Sequence, residues 1–353
     1  MKRTQTNKPL SAQMKRNVAD SKKPKEKEEL DGNTEVMIST GSTLLDLCLT
    51  GGRKRGGGIP GGVYVEVSGP ESSGKTVLLS EVAGAIQRQG GEVTFKDPEG
   101  SLDSAFAKIF DMTIDEDNYS QPDVVSKVFK EIANWKPKNP DVINGIFVDS
   151  LAALSTELEM ENEDGDKMGM RRAKEFSEGF RKTCRTIANK NWIMMASNQI
   201  REKTDAVSFG KKTDTPGGKA LKFYATIRIE FSNVRKIIQV EKVRGIEVKK
   251  TIGVEVDAEI IKNKTWKPFG KTSIVIIFDY GIDDIRTNLQ YVKKYKKLTS
   301  YCVGGVSLGT SLEEAIRKVE NQRLTKQLRN EVIDLWEEIE ALFESDRRKK
   351  ERD

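Results

Sequence analysis

The stretch Gly69-Pro70-Glu71-Ser72-Ser73-Gly74-Lys75-Thr76 fits G-x-x-x-x-G-K-[ST], the pattern of a phosphate-binding P-loop. Alternating apolar and polar residues at 63–67 predict a strand before it, and apolar positions within 75–89 predict a helix after it. The glycines let backbone N–H groups surround phosphates, and the helix N-terminus adds a favourable dipole. A plain glycine-rich turn is the alternative, and the flanking strand and helix argue against it. We therefore expect a nucleoside triphosphate site, with Lys75 on the β- and γ-phosphates and the Thr76 hydroxyl on Mg²⁺.

The composition limits the possible chemistry. The 353 residues include no histidine, which excludes His-based triads, His-ligated zinc sites and imidazole bases. Any catalysis must use carboxylates, lysines and a bound metal. No apolar run approaches membrane-spanning length and the polar N-terminus is not a secretory signal, so we expect a soluble, cytoplasmic protein with no membrane partner. Three cysteines without metal-ligand spacing indicate a reducing compartment: Cys48, Cys184 and Cys302.

Positive charge is concentrated at the two ends of the chain. The net charge is only +6, but residues 1–29 carry nine Lys or Arg against four Asp or Glu. The segment Arg347-Arg348-Lys349-Lys350 is basic again. Such runs are typical of solvated tails, and the alternative is an arm that binds a polyanion.

Predicted strands and helices alternate after the P-loop, which favours an α/β fold with a mostly parallel central sheet covered by helices. Strands are expected at residues 92–96, 145–149, 192–197 and 223–231, with two more at 254–261 and 273–278 on a mixed sheet edge. Helices are expected at residues 104–110, 123–135 and 171–190. Residues 51–62, with seven glycines, are expected to form a long flexible loop.

Changes in composition and in hydrophobic pattern divide the chain into three parts. We expect a basic N-terminal arm that serves assembly (1–35), an ATPase core with DNA-binding loops (36–282), and a small α-rich C-terminal domain with a basic tail (283–353). An apolar stripe at helical spacing supports the last part: Leu328, Val332, Leu335, Trp336, Ile339, Leu342 and Phe343.

Two carboxylates complete the predicted ATPase chemistry. Asp149 ends an apolar strand at residues 145–149, a Walker B pattern, and would hold Mg²⁺ through water beside the P-loop. Hydrolysis also needs a group that orients and deprotonates water. Asp97 and Glu99 directly follow the second strand, and Glu99 reaches further towards a γ-phosphate. From spacing alone, Glu99 could equally be an exposed turn residue.

These motifs resemble those of RecA-type recombinases over about residues 36–280. The P-loop matches at every position, including its Pro-Glu-Ser-Ser interior. Further landmarks follow in the family's order: Ile38-Ser39-Thr40-Gly41-Ser42, Asp97-Pro98-Glu99 with Leu102-Asp103, Val148-Asp149-Ser150-Leu151-Ala152-Ala153-Leu154, Asn198-Gln199-Ile200-Arg201, Gly217-Gly218-Lys219-Ala220-Leu221-Lys222-Phe223-Tyr224-Ala225, and Lys262-Asn263-Lys264 with Pro268-Phe269.

The resemblance implies a RecA-type ATPase fold and a DNA-dependent ATPase that uses ATP and Mg²⁺. Such proteins form helical filaments on single-stranded DNA and catalyse pairing and strand exchange with homologous double-stranded DNA, in recombination and repair. By position, the resemblance implies these roles: Glu99 as the catalytic glutamate, Asp149 as the Walker B aspartate, Phe106 stacked on adenine, Gln199 as the γ-phosphate sensor, and Lys262 and Lys264 on the ATP of a neighbouring subunit. Lysines supplied in trans would stabilise charge at the γ-phosphate. Without the resemblance, Lys262 and Lys264 would be assigned to an exposed polar turn.

Two loops are the expected DNA sites. The first, at residues 157–172, is acidic before it reaches Met168, Gly169 and Arg172, and we expect its acidic part to face away from DNA. The second, at residues 201–218, combines cations, one aromatic residue and glycines, a composition that suits a single strand. Its expected contacts are Arg201, Lys203, Phe209, Lys211, Lys212, Gly217 and Gly218. A mobile lid or linker is the alternative interpretation of that composition.

Two other functions on the same core remain as alternatives. A hexameric ring helicase would need basic hairpins around a pore, and the matches at 217–225 and 262–264 argue against it. A mediator paralogue that binds ATP without turnover is disfavoured by the intact Lys75, Thr76, Glu99 and Asp149. The sequence also departs from the family pattern in its long basic segment at 51–62, in a weak counterpart of the N-terminal polymerisation helix and in its basic tail.

Overall fold

The computed structural model describes residues 36–161, 168–202, 213–214 and 218–345. The chain divides into two compact units, Met1–Gly32 and Asn33–Asp353, and the described residues all belong to the second. The expected N-terminal arm and basic tail lie outside the described residues.

The described strands and helices follow one another as an α/β alternation and then a helical C-terminal part. The strands are β1 Met37–Ile38, β2 Ile59–Pro60, β3 Val63–Gly69, β4 Val93–Lys96, β5 Tyr119–Ser120, β6 Gly145–Val148, β7 Ile193–Gln199, β8 Arg201–Glu202, β9 Thr213–Asp214, β10 Ile227–Val243, β11 Ile246–Asn263, β12 Lys271–Ile277, β13 Gly281–Ile282, β14 Tyr301–Val303 and β15 Val306–Gly309. The helices are α1 Thr43–Thr50, α2 Lys75–Arg88, α3 Ser104–Ile109, α4 Val125–Asn134, α5 Glu157–Glu161, α6 Met168–Asn189, α7 Gly218–Tyr224, α8 Asp284–Tyr295, α9 Leu312–Asn321 and α10 Thr325–Ala341, with a 3₁₀ turn at Leu151–Ala153.

The central sheet is mostly parallel, as predicted. Among the described residues it has nine strands in the order β13-β12-β11-β10-β3-β7-β6-β4-β5. The six strands from β10 to β5 run parallel, and β11, β12 and β13 add antiparallel strands at one edge. The carboxyl ends of β3, β4, β6 and β7 therefore open on the same edge, where ligands of open α/β sheets bind.

Alternate residues of the central strands supply the two layers that cover the sheet. Val65 and Val67 of β3 face one side, where they share a core with the apolar face of α2. Tyr64 faces the other side, where its ring stacks on Phe180 of α6 with centroids 4.6 Å apart. Burial on both faces explains the near-continuous apolar character of these strands.

Strands β10 and β11 form a ribbon longer than the sequence predicts. β10 pairs with β3 only from Ile227 to Glu230, yet its pairing with β11 continues to Val243 opposite Ile246. The predicted strand at 223–231 is wrong at its start, because residues 223 and 224 end helix α7. The predicted strand at 254–261 is confirmed within β11, and that at 273–278 is confirmed as far as Ile277, where β12 ends.

The C-terminal part has a core of its own, shared with α1. Leu44 and Leu47 of α1 pack with buried residues of α8, α9 and α10 and of the β14–β15 hairpin. The predicted stripe is buried at Leu328, Val332 and Leu335, but Leu342 and Phe343 lie beyond the end of α10 and are exposed. The expected loop at 51–62 contains β2, and its Arg55 bonds Asp334 and Glu337 of α10.

Candidate functional site

The P-loop joins the carboxyl end of β3 to the first turn of α2 and depends on glycine at two points. Gly74 has φ of +84°, and a Cβ there would lie 2.1 Å from Ile276 Cδ1. A Cβ on Gly69 would lie 2.7 Å from Phe231 Cβ. Ser73 Oγ donates to Pro70 O at 2.7 Å inside the loop. Any residue with a side chain at Gly69 or Gly74 would clash with a neighbouring strand. Glycine at both positions therefore keeps the present path of the loop backbone, whose N–H groups can approach a phosphate closely.

Lys75 points its ammonium back into the loop. Its Nζ donates to Gly69 O at 3.2 Å and to Pro70 O at 2.7 Å. Burial lowers the pKa of Lys75, against the opposing effect of Asp149, Glu99 and Glu71. An ammonium among carbonyls and nearby carboxylates is placed to receive the phosphates of a nucleotide.

Asp149 follows β6 and is the carboxylate that fits a metal. Ser197 Oγ donates to its Oδ1, while its buried Oδ2 has no hydrogen-bond partner among the described residues. Burial raises the pKa of Asp149, and hydrogen-bonding contacts from Ser197 and Thr76 oppose that rise. A buried carboxylate oxygen without a partner, next to the Thr76 hydroxyl, suits a hydrated divalent cation.

Glu99 lies beside this carboxylate. Its Oε1 accepts a hydrogen bond from Ser150 Oγ at 2.8 Å, and Ser150 directly follows Asp149. Asp97, the other candidate, is fully buried and its Oδ2 accepts from Leu102 N at 2.8 Å and from the Tyr119 hydroxyl at 2.9 Å. Asp97 therefore shapes the turn, while the exposed Glu99 is free to face a nucleotide.

Phe106 lies in the first turns of α3, shortly after Glu99. The carboxylate of Asp103 caps this helix by accepting from Phe106 N at 2.7 Å. The half-buried Phe106 ring packs on Phe110, with centroids 5.0 Å apart. Its predicted contact with adenine stays a prediction.

Gln199 ends β7 directly beside the P-loop. In the parallel register of β3 and β7, Gln199 is the partner of Gly69. The preceding Asn198 donates to Glu66 Oε1 at 3.1 Å, and Arg228 Nε donates to Glu66 Oε2. The sequence did not reveal this buried pair of Glu66 and Arg228, because its partners come from separate strands.

Lys262 and Lys264 are not brought to the P-loop of their own chain. Lys262 is the partner of Arg228, and Lys264 N donates to Thr226 O at 3.0 Å. Thr226 N in turn donates to Tyr64 O at 2.8 Å, so Lys264 lies level with the start of β3. Tyr64 and Gly69 are five residues apart, roughly 16 Å along a strand at about 3.3 Å per residue. Within one chain these lysines lie away from the nucleotide edge.

The expected DNA residues fall mostly outside the described residues. Lys203, Phe209, Lys211, Lys212 and Gly217 lie outside them. The backbone of Met168 and Gly169 opens α6, that of Arg201 opens β8, and Gly218 opens α7. In sequence the two loops come after β6 and β7, and the carboxyl ends of these two parallel strands lie on the same edge of the sheet as the P-loop.

Arg172 is the one expected DNA contact whose side chain is described, and it is paired. Its Nη2 donates to both carboxylate oxygens of Glu159, at 3.2 and 3.1 Å. One residue of the acidic stretch is therefore paired with a predicted DNA contact, while the expectation that the acidic part faces away from DNA stays a prediction. A role for Arg172 on DNA stays a prediction.

The comparisons with known proteins agree on one family. Residues 23–283 match the family model described as RecA N-terminal domain. The chain is 36% identical over 300 residues to Protein RecA of Borrelia hermsii, covering 84% of this chain and 80% of that protein. It is 34% identical over 310 residues to Protein RecA of Thermus thermophilus, covering 86% of each. Among the described residues, no helix has both the length and the apolar character needed to cross a membrane.

Proposed function

Because this chain belongs to the RecA family, we propose that Lys75, Thr76, Glu99 and Asp149 form its ATPase site. The chain is a DNA recombinase of recombination and repair and a DNA-dependent ATPase. We expect three functional parts: an arm at 1–35, the ATPase core at 36–282 and a C-terminal domain at 283–353.

The P-loop residues and Lys75 hold the triphosphate of ATP, and Phe106 stacks on its adenine. Thr76 and Asp149 hold Mg²⁺, which neutralises charge on the phosphates when it is bound. Glu99 orients the attacking water and accepts its proton. The hydrogen bond from Ser150 fixes Glu99 beside the metal carboxylate.

The same site is shared between subunits of a filament. Lys262 and Lys264 lie near the opposite edge of their own sheet, so they serve the ATP of a neighbour. Gln199 contacts the γ-phosphate. The second DNA loop begins at residue 201, two residues after Gln199. Single-stranded DNA binds at the two loops that follow β6 and β7, and homologous double-stranded DNA is paired with it there.

The observation that carries this proposal is the register of Gln199 beside Gly69. This register places the carboxyl end of β3, where the P-loop begins, next to the end of β7, which the second DNA loop follows. A strand-exchange reaction between circular single-stranded DNA and a homologous linear duplex tests the function. We expect joint molecules only with ATP and homology, and products formed equally with a heterologous duplex would contradict it.

A further inference from the structure

Ser197 of β7 lies beside Asp149, the carboxylate that fits a metal. Strands β6 and β7 are parallel neighbours, and Val148 of β6 is the partner of Ala196 of β7. Asp149 and Ser197 each follow one residue later, at the carboxyl edge of the sheet. Ser197 Oγ donates a hydrogen bond to Asp149 Oδ1. The two side chains therefore meet across two strands at the edge where ligands of open α/β sheets bind.

Ser197 points to the side of the sheet that helix α2 covers. Successive side chains of a strand alternate between its two faces, so Ser197 shares a face with Met195. Met195 belongs to the core that includes the apolar face of α2. Thr76 lies in the first turn of α2 and makes a hydrogen-bonding contact with Asp149. Ser197 and Thr76 therefore reach Asp149 from the same layer of the molecule.

The Ser197 hydroxyl determines which oxygen of Asp149 is available to a ligand. Ser197 is fully buried, and a hydroxyl has a single proton to donate. That proton goes to Oδ1, whereas the buried Oδ2 has no hydrogen-bond partner among the described residues. The backbone is held as well, because Asp149 N donates to Lys96 O at 2.9 Å. With the backbone and one oxygen held, the carboxylate presents Oδ2 in one orientation.

We propose that Ser197 is a positioning residue for Mg²⁺, acting through Asp149. This rests on the proposed ATPase site, in which Asp149 holds the metal. Hydrogen-bond partners that orient a ligating side chain matter for the metal, and their loss costs about 10- to 100-fold in metal affinity or activity. Mg²⁺ demands a nearly ideal octahedral arrangement of ligands, so a carboxylate that is free to turn holds it less well. Ser197 acts on the ion only through Asp149 Oδ1.

A purely structural role for Ser197 would have a different consequence. If its hydrogen bond only stabilised the end of β7, its loss would weaken nucleotide binding equally with and without Mg²⁺. If the bond orients Asp149, its loss reduces only the gain in nucleotide affinity that Mg²⁺ gives. The ratio of the two nucleotide affinities therefore distinguishes the two roles.

Equilibrium binding of a fluorescent, slowly hydrolysed ATP analogue measures that ratio without turnover. Each protein is titrated in excess Mg²⁺ and in excess EDTA, without DNA. We expect Ser197→Ala to reduce the Mg²⁺-dependent gain in affinity about tenfold and to keep the wild-type affinity in EDTA. An undiminished gain, or equal weakening in both conditions, would overturn the proposal.

Ser80→Ala is the matched control for this variant. Ser80 of α2 is also fully buried, and its Oγ has no hydrogen-bond partner within the described part of the chain. The substitution removes the same hydroxyl group from a buried position without changing the surroundings of Asp149. We expect it to keep the wild-type gain in affinity, and a loss equal to that of Ser197→Ala would contradict a specific role for Ser197.

The Asp149→Asn variant separates failure of this proposal from failure of the proposed metal site. In that background, Ser197→Ala should reduce the Mg²⁺-dependent gain little further, because the side chain through which it acts is already changed. Fully additive losses would overturn the proposal, since Ser197 would then act without Asp149. If Asp149→Asn alone keeps the whole gain, the proposed metal site fails. If Asp149→Asn loses the gain and Ser197→Ala keeps it, only the positioning role fails.

Discussion

Arg172 of α6 and Glu159 of α5 form an ion pair between the two ends of the first candidate DNA loop, with Nη2–Oε distances of 3.1 and 3.2 Å. Only 24% of the Arg172 side chain and 10% of the Glu159 side chain are exposed. Glu159 also accepts from Thr156 N at 2.7 Å, which fixes its carboxylate. A DNA phosphate that binds Arg172 through Nη2 must therefore compete with an oriented carboxylate.

Removing that carboxylate should strengthen DNA binding. We expect Glu159→Gln to raise single-strand affinity about two- to fivefold, the range for a partly exposed ion pair. Glu157→Gln is the matched control, since it removes the same charge but Glu157 accepts from Ser126 Oγ instead. Fluorescence anisotropy with a labelled oligonucleotide at fixed salt gives both affinities. Equal gains in the two variants would mean that only overall charge matters.

Glu99 should be needed for turnover but not for nucleotide binding. Glu99→Gln keeps the size of the side chain and removes its basicity, so ATP hydrolysis should fall by on the order of 10²-fold or more. Lys75→Ala should instead weaken ATP binding. Steady-state hydrolysis with saturating single-stranded DNA, together with equilibrium ATP binding, separates the two. Near wild-type hydrolysis by Glu99→Gln would show that another group activates water.

A control for Glu99→Gln comes from the same part of the chain. Glu116 is exposed in the turn before β5. Glu116→Gln removes one carboxylate without touching Ser150 or Asp149 and should hydrolyse ATP at the wild-type rate.

Mixed subunits should recover activity if the site is shared. Lys264→Ala and Glu99→Gln subunits are each expected to be inactive. In a mixture, some interfaces combine an intact Glu99 with an intact Lys264, so part of the turnover should return. The measurement is ATP hydrolysis against mixing ratio, in samples shown to co-assemble. No recovery at any ratio would count against lysines supplied in trans.

The second DNA loop should bind single-stranded DNA both through lysine–phosphate contacts and through stacking on a base. The salt dependence of the affinity distinguishes the two contributions, because only the phosphate contacts depend strongly on salt. Replacing Lys211 and Lys212 removes two possible phosphate contacts, so the log–log salt slope should fall by up to about 1.4, at roughly 0.7 per contact. Phe209→Ala should cost about 1–3 kcal/mol with little change of slope if the ring stacks on a base. Oligonucleotide binding titrated with salt checks both. An unchanged slope with full DNA stimulation in the double-lysine variant would exclude this loop from the DNA site.

The local parts of the fold were predictable from sequence. The P-loop needs a strand, a glycine turn and a helix in series, so its pattern lies within one short stretch. The Walker B strand at 145–149 was equally visible, because both faces of β6 are buried and its residues are all apolar or glycine.

The parts that depend on tertiary structure were not predictable. Beyond Ile237 the β10–β11 ribbon is exposed on both faces, so it carries no buried alternation to mark it as strand. The end of α7 at Tyr224 was mistaken for the start of a strand. A short apolar stretch such as 223–231 does not distinguish a helix end from a strand. The pairs Glu159–Arg172 and Glu66–Arg228 join residues of separate elements, which no spacing rule connects.

Electron microscopy of the protein with single-stranded DNA and a slowly hydrolysed ATP analogue tests the central claim most directly. The proposed site combines Gln199 and Glu99 of one subunit with Lys262 and Lys264 of its neighbour, so the proposal requires that subunits stack along DNA before the site is complete. We predict helical filaments that need both DNA and nucleotide, and that Lys75→Ala abolishes. Closed rings, or particles that stay unassembled with both ligands bound, would contradict the account.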